Sequence, residues 1–115
     1  MSAFSPTPLT RDLSVSPQLA PPDMAAAKAA GYASIINNRP DFEHGPDQPT
    51  HADMQAAAQA QGLEYRFLPV SGAHQTEAEI AAFAKLMAEL PKPILAFCRS
   101  GGRCTRLFAQ AQALD

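Results

Sequence analysis

The chain has 115 residues, of which 46% are hydrophobic, and its formal net charge is -2. This length supports one compact domain over residues 1–115 and is too short for two. Acidic and basic residues are interspersed without a basic stripe, which argues against a nucleic-acid partner. No apolar run approaches the ~20 residues that cross a bilayer, and the first residues lack the basic and apolar regions of a signal peptide. We therefore expect a cytoplasmic protein with no membrane partner.

Strand and helix patterns alternate along the chain. Residues 1–10 carry prolines and hydroxyl residues without periodicity, which predicts an extended arm, and Leu13–Ser16 alternates as a half-buried edge strand does. The later patterns predict helices over 21–30, 50–61, 76–90 and 103–114, and strands over 32–37, 63–70 and 94–97. This alternation predicts an α/β fold with a central, mostly parallel four-stranded sheet flanked by helices.

The segment from Ile94 to Arg103 carries the clearest chemical signal. A buried apolar strand ends at Cys98, a short loop with two glycines follows, and helix-compatible residues resume at Arg103. Backbone N–H groups in such a loop, with the positive end of the next helix, form a concave anion site above the cysteine sulfur. The residues predicted to line it are Arg99, Ser100, Gly101, Gly102, Arg103 and Cys104.

Cys98 is the predicted nucleophile, because the helix start and the nearby Arg99 and Arg103 favour its thiolate. Arg103 can fold back across the loop mouth and bind two oxygens of an anion. Its charge is unfavourable at a helix start, which indicates a bound anion or an acidic partner. Cys104 is either a small buried side chain or a resolving thiol that protects Cys98 after oxidation.

Other loops at the same sheet edge supply the remaining candidates. Ligands of parallel sheets bind beyond the carboxyl ends of the strands, where the loops after Asn37 and Val70 also emerge. Asp41 and His74 on these loops are candidates for the general acid, with a turn residue and a solvated histidine as the alternatives. The histidines have no paired ligand spacing with the cysteines, and nucleotide-binding signatures are absent from the sequence. We expect no metal and no cofactor.

Three segments carry a family resemblance: NNRPD at 37–41, LPVSG at 68–72 and FCRSGGR at 97–103. Together they resemble the phosphatase-like domain of beta-lactamase hydrolase-like proteins, a bacterial group distantly similar to tyrosine and dual-specificity phosphatases. The resemblance implies a tyrosine-phosphatase fold and hydrolysis of phosphate monoesters. It implies that Cys98 is the nucleophile, that Arg103 binds the anion, and that the backbone of 99–102 cradles the phosphate. The substrate would be a small anion or a phosphorylated protein.

Two departures from the phosphatase pattern keep other functions open. Cys98 and Arg103 are one residue closer than the cysteine and arginine of tyrosine phosphatases, and this shorter loop is like that of rhodanese sulfurtransferases. The first alternative is therefore sulfur transfer, with a persulfide on Cys98. Residues 71–75 also lack the aspartate that serves as general acid in dual-specificity phosphatases, so Asp41 or His74 would replace it. The second alternative is a catalytically weak anion-binding module.

Overall fold

A five-stranded sheet lies between two layers of helices in the computed structural model, which describes residues 4–43 and 45–114. The strands are β1 (Thr7–Pro8), β2 (Leu13–Ser16), β3 (Ser34–Asn37), β4 (Glu64–Phe67) and β5 (Ile94–Phe97). The helices are α1 (Asp23–Ala29), α2 (His51–Ala60), α3 (Glu77–Glu89) and α4 (Gly102–Gln112). The sheet order is β1-β2-β5-β3-β4, and every neighbouring pair is parallel except β1 with β2. The predicted α/β fold with a mostly parallel sheet is confirmed, but the predicted count of four strands is wrong, because Thr7–Pro8 adds a fifth.

The edge position predicted for β2 is wrong, because the strand lies between β1 and β5 with all four of its residues buried. The chain reverses at Thr10, whose side-chain oxygen accepts hydrogen bonds from the N–H groups of Asp12 and Leu13. This turn brings Thr7–Pro8 back alongside β2 as a short antiparallel strand. The predicted arm therefore contains part of the sheet, while its residues 1–3 lie outside the described residues.

Two helices begin at the hydroxyl residues that the sequence marks as caps. Thr50 accepts a hydrogen bond from the N–H of Asp53 at the start of α2. Thr76 and Glu79 form a reciprocal capping box at the start of α3, with each side chain bonded to the other residue's backbone N–H. Each cap satisfies backbone donors that the first helical turn leaves unpaired. These local signals explain why the predicted helix starts are confirmed.

Successive residues of the central strands face opposite helix layers. On one face, the core joins sheet residues to α3 and α4, through Leu13, Val15, Ile36, Ala96, Phe83 and Leu107. On the other face, it joins them to α1 and α2, through Ile35, Leu95, Met24, Ala27, Met54 and Ala58. The sheet is thus covered on both sides, as parallel sheets generally are. Within the described ranges no helix combines the length and apolarity that spanning a membrane requires.

The chain segments that leave β3, β4 and β5 stay joined beyond the strands. The N–H of Asn38 donates to Phe97 O, and the N–H groups of Leu68 and Val70 donate to Asn37 O and Asn38 O. These bonds hold three loops together at the carboxyl edge of the sheet. The predicted meeting of these loops is confirmed.

Candidate active site

The loop after β5 turns from strand into helix at Gly101. Gly101 has a φ of 89°, in the left-handed region, and is the N-cap of α4. A Cβ at this position would lie 3.4 Å from the backbone carbonyl carbon of Ser16 on β2. Both the backbone conformation and the close approach to the neighbouring strand therefore favour glycine. The N–H of Cys98 also donates to Ser16 O at 3.3 Å, which fixes the start of the loop.

The Cys98 side chain lies at the base of this loop, and the residue is only 1% exposed. The N–H of Gly101 donates to its Sγ at 3.1 Å. A hydrogen bond from the Cys104 thiol is the main cause that lowers the pKa of Cys98 to about 5; burial opposes it, and the N–H groups of Cys104, Gly101 and Ser100 assist it. The thiolate is thus the principal form of Cys98 at neutral pH, as nucleophilic attack requires.

Cys104, in the first turn of α4, is fully buried beside this thiolate. Burial, together with the hydrogen bond to Cys98, raises the pKa of the Cys104 thiol well above its usual value. Its Sγ lies 3.2 Å from Asn38 Oδ1, so its single proton can reach either that oxygen or the Cys98 sulfur. An ionised sulfur is the stronger acceptor. The prediction of a small buried side chain is confirmed, and a resolving role stays a prediction.

Arg103 is buried between the loops that follow β3 and β4, with only 7% exposure. Its Nη1 donates to Val70 O at 2.9 Å and to Asn38 O at 3.3 Å, and its Nη2 lies 3.1 Å from Glu43 Oε2. The acidic partner predicted from its position at a helix start is therefore Glu43. The guanidinium ties loops together rather than lying open at the loop mouth, and its charge is not among the main causes of the Cys98 pKa shift.

Glu43 is shared by two buried arginines. Its Oε1 accepts a hydrogen bond from Arg39 Nε at 3.0 Å and another from Arg103 Nη2 at 3.1 Å. Burial acts to raise the pKa of Glu43, but hydrogen bonds and charges of both arginines outweigh it, so the pKa is lowered. Arg39 also donates to Gln18 Oε1 at 2.9 Å. A charged network thus anchors the loop after β3 to the start of α4.

Gly72 faces the guanidinium from the loop after β4. A Cβ at Gly72 would lie 3.1 Å from Arg103 Nη2 and 3.4 Å from Arg103 Nε. That Nε is buried without a hydrogen-bond acceptor in the described part of the chain. A buried unpaired donor is costly, so this edge of the guanidinium offers an unused N–H to an oxyanion.

The remaining residues of the predicted anion site lie at its edge. Arg99 and Ser100 are exposed. The Ser100 Oγ accepts a hydrogen bond from the N–H of Gly102 at 3.3 Å, within the loop. The carbonyl of Arg99 accepts one from the N–H of Gln18 at 3.2 Å. The predicted lining residues therefore come together, with Arg103 facing inward and Arg99 outward.

Asp41 and His74 occupy different environments. Asp41 Oδ1 accepts a hydrogen bond from the N–H of His51 at 2.7 Å, which satisfies a donor at the start of α2. His74 is exposed on the loop after β4. Asp41 therefore has a structural role at the start of α2, in addition to the turn role that the sequence suggested as the alternative to catalysis. Neither geometry identifies the general acid, and both assignments stay proposals.

The sequence did not predict three residues of the site: Asn38, Glu43 and Gly72. Glu43 and Arg103 are separated by 60 positions, and no local pattern announces such a contact. A partial signal was present, since Arg39 and Glu43 have the spacing of an ion pair within one turn. Asn38, a polar residue directly after a buried strand, was a second signal.

Two further findings concern a groove on the helix layer and the placement of side chains that could bind a metal. A groove of about 440 Å³ between α3 and α4 is lined by residues that include Asp12 and Lys92. These residues lie at the amino ends of β2 and β5, so the groove is at the opposite edge of the sheet from Cys98. Within residues 4–43 and 45–114, no group of three His, Cys, Asp or Glu side chains is placed to hold a metal ion.

The parallel sheet with a cysteine loop at its carboxyl edge defines a domain of the phosphatase fold, and comparison with solved structures agrees. A candidate phosphatase of Neisseria meningitidis is 30% identical, with a TM-score of 0.79 over 89% of this chain and 72% of that one. The core catalytic domain of a PP-IP phosphatase of S. cerevisiae, solved with citrate, has a TM-score of 0.71 over 95% of this chain and 65% of that one. At 15% identity, the yeast protein shows the fold alone.

The chain belongs to the family described as beta-lactamase hydrolase-like protein, phosphatase-like domain, whose model matches residues 7–115. It is 45% identical over 93 residues to a beta-lactamase hydrolase-like protein of Agrobacterium fabrum, covering 81% of this chain and 21% of that protein. A beta-lactamase hydrolase-like protein of Xylella fastidiosa is 46% identical over 85 residues, which cover 74% of this chain and 20% of that protein. The chain thus spans about a fifth of the length of these relatives. The family resemblance is confirmed, and the family and fold support a phosphatase-like function.

Proposed function

We propose that the protein is a cysteine-dependent, phosphatase-like hydrolase that acts on phosphate monoesters of small molecules or of proteins. The observation that carries the proposal is the Cys98 sulfur, which is ionised at neutral pH at the base of a ring of backbone N–H groups. Membership of a phosphatase-like family supports the choice of phosphate. We also propose a cytoplasmic location, since this chemistry needs a reduced thiol.

In the proposed reaction, the Cys98 thiolate attacks phosphorus and the bond to the leaving oxygen breaks, giving a phosphocysteine. The leaving oxygen takes a proton from Asp41 or His74. The sulfur loses its negative charge as the new bond forms, so the N–H groups of Ser100 and Gly101 become available to phosphoryl oxygens. Water then attacks phosphorus, releases phosphate and restores the thiolate.

Arg103 has two parts in this proposal. Its Nη atoms hold Glu43 and the carbonyls of Asn38 and Val70, and so keep three loops in place. Its buried Nε lacks an acceptor in the described part of the chain, and a phosphoryl oxygen would supply one. A charge-assisted hydrogen bond of this kind is among the stronger ones available to an anion.

A specific observation favours sulfur transfer as a second candidate. The guanidinium of Arg103 is neutralised by Glu43, which leaves less positive charge for a doubly charged phosphate. A persulfide on Cys98 carries less charge and needs only the small ring of N–H groups. In this reaction, the Cys98 thiolate takes the outer sulfur of a donor such as thiosulfate, releasing sulfite, and then passes that sulfur to an acceptor such as cyanide.

Two assays on the purified chain separate these functions, each run beside Cys98→Ser. One measures phosphate release from an aryl phosphate, and the other measures thiocyanate formation from thiosulfate and cyanide. The proposal predicts phosphate release that Cys98→Ser abolishes. Thiocyanate formation that depends on Cys98, without phosphate release, would instead establish sulfur transfer. No turnover in either assay, with phosphate or sulfate binding retained, would identify an anion-binding module.

A further inference from the structure

A second arginine of α4 lies at the edge of the site and takes no part in the hydrolysis proposed above. Arg106 follows Arg103 by three positions in the helix, so the two side chains are neighbours on the helix surface. Arg106 is exposed, whereas Arg103 is buried. The exposed guanidinium can therefore contact a part of a ligand that lies outside the buried anion site.

Two contacts fix the position of the Arg106 guanidinium. Its Nη2 donates a hydrogen bond to Gly72 O at 3.0 Å, in the loop that follows β4. Its Nη1 would lie 3.5 Å from a Cβ at Gly102, and Ser100 Oγ would lie 3.4 Å from the same Cβ. The guanidinium therefore reaches from the loop that follows β4 to the loop that follows β5, whose N–H groups are proposed to hold phosphate.

Gly72 lies between the two guanidiniums. Arg103 Nη2 would lie 3.1 Å from a Cβ at Gly72, and Arg106 Nη2 bonds to the carbonyl oxygen of the same residue. With ordinary backbone dimensions, at most about 10 Å separates the two Nη2 atoms. A ligand with two anionic groups a few bonds apart can therefore place one group in the Cys98 loop and the other on Arg106.

The two arginines differ in how their charge is balanced. Glu43 pairs with Arg103 at 3.1 Å. Within residues 4–43 and 45–114, carboxylates pair with Arg39, Arg66 and Arg103, and none pairs with Arg106. Arg106 Nη1 also has no hydrogen-bond acceptor in these ranges. The bond to the loop after β4 uses one N–H group of Arg106, so its charge and its Nη1 stay available to an anion.

We propose that Arg106 is a specificity-determining residue, which binds a second anionic group of a phosphate monoester whose first phosphate occupies the Cys98 loop. The inference rests on the proposed function and narrows its substrate class. The second group is a phosphate or a carboxylate, because both match the planar fork of an arginine. It belongs to a small bisphosphate, or to an acidic side chain beside a phosphorylated residue. Arg106 does not contact the reacting phosphorus, so it contributes to substrate affinity and not to the chemical step.

The binding of phosphonates tests the proposal without turnover, because a P–C bond replaces the ester. Titration calorimetry compares methylphosphonate with propane-1,3-bisphosphonate on the wild type and on Arg106→Gln. We expect the bisphosphonate to bind the wild type about tenfold more tightly than methylphosphonate. Arg106→Gln should remove this gain and leave the affinity for methylphosphonate unchanged. Arg106→Lys, which keeps the charge without the fork, should retain part of the gain. Added salt should reduce the gain, since exposed charges are screened.

A second pair of probes distinguishes the two sources of the anionic group. These are peptides that carry a phosphonate analogue of phosphoserine next to either Glu or Gln. A gain that depends on Arg106 and is confined to the bisphosphonate supports a small-molecule substrate, and one confined to the Glu peptide supports a protein substrate. The matched control is Arg66→Gln, which removes an exposed arginine already paired with Glu64 and should keep the full gain.

Two results would overturn the proposal, and they are distinguishable. If methylphosphonate binds but neither probe pair shows a gain, or if Arg106→Gln keeps the gain, Arg106 does not bind a second anion and the proposed hydrolysis still stands. If methylphosphonate does not bind the wild type at all, this inference and the proposed function fail together.

Discussion

Two loops meet at the carboxyl edge of the sheet and are held by opposite means. The loop that follows β5 is held through backbone groups: the left-handed Gly101, the N–H groups that point at Cys98, and the bond from the Cys98 N–H to Ser16 O. The loop that follows β3 is held from a distance, through the contacts of Glu43 with Arg39 and Arg103. The first arrangement activates a sulfur, and the second fixes the arginine and the loops around it.

This difference shows that the activation of Cys98 and the positioning of Arg103 depend on separate contacts. The thiolate of Cys98 depends mainly on Cys104 and on the adjacent N–H groups. The place of Arg103 depends on partners far along the chain. Variants of one loop should therefore change the Cys98 pKa, whereas variants of the other should change stability and substrate affinity.

The largest expected effect is the dependence of stability on pH. The pKa of Cys98 is about 5 in the folded chain and ~8.5 for an unperturbed thiol. Between these values the unfolded chain binds the extra proton, so stability rises with pH by up to ~1.4 kcal/mol per unit and is lost as pH falls through 5. Urea unfolding of the wild type and Cys98→Ser at several pH values measures this. Parallel pH profiles would contradict it.

Glu43→Gln tests the distant support. It leaves Arg39 and Arg103 buried beside a neutral side chain, and we expect a loss of about 2 kcal/mol of unfolding free energy. The matched control is Glu64→Gln, which breaks the exposed Glu64–Arg66 pair at 3.5 Å and should cost under ~0.5 kcal/mol. Equal effects of the two substitutions in urea unfolding would refute the role given to Glu43. The Cys98 pKa should change in neither variant.

Gly101→Ala tests the backbone support of the other loop. Alanine at a φ of 89°, close to Ser16, should cost about 1–2 kcal/mol of stability. Because the Gly101 N–H would also move away from the sulfur, the pKa of Cys98 should rise. The measurements are thermal unfolding and the pH dependence of Cys98 alkylation. An unchanged Cys98 pKa in a destabilised variant would break the link between this turn and thiol activation.

Asp41 gives the smallest expected change in stability. Asp41→Ala removes the acceptor for the His51 N–H and should cost about 1 kcal/mol, whereas Asp41→Asn keeps an oxygen there and should unfold like the wild type. Asp41→Asn therefore tests acid catalysis without a change in stability, whereas Asp41→Ala changes both. A fall of roughly 10²-fold or more in turnover for Asp41→Asn, at unchanged stability, would assign the general acid to Asp41. Unchanged turnover would exclude Asp41 and leave His74, tested by His74→Ala.

The fold was largely predictable because its signals are local. The cap residues Thr50 and Thr76 mark helix starts, and the apolar run Ile94–Phe97 marks a central strand. The short strand Thr7–Pro8 was not predictable, since it exists only by pairing with β2 after a turn. Ser14 and Ser16 are also buried, although their alternation with apolar residues indicated an exposed face.

In the candidate site, too, the features with local sequence signals were predictable and those that depend on distant contacts were not. The loop from Cys98 to Gly102 could be predicted because strand, glycines and helix start are consecutive in sequence. The partners of Arg103 could not, because a carboxylate 60 positions away and two backbone carbonyls leave no pattern around the arginine. Cys98 and Cys104 come together because the chain turns from β5 into the first turn of α4 between them.

The central claim is that this loop holds Cys98 as a thiolate, and the pH dependence of its alkylation tests that claim most directly. The rate of reaction with iodoacetamide at Cys98 is measured from acid to alkaline pH, with Cys98→Ser as the control for Cys104. The account predicts a midpoint of about 5 for Cys98 and no reaction of Cys104 over the same range. A midpoint near ~8.5, the value of an unperturbed thiol, would contradict it.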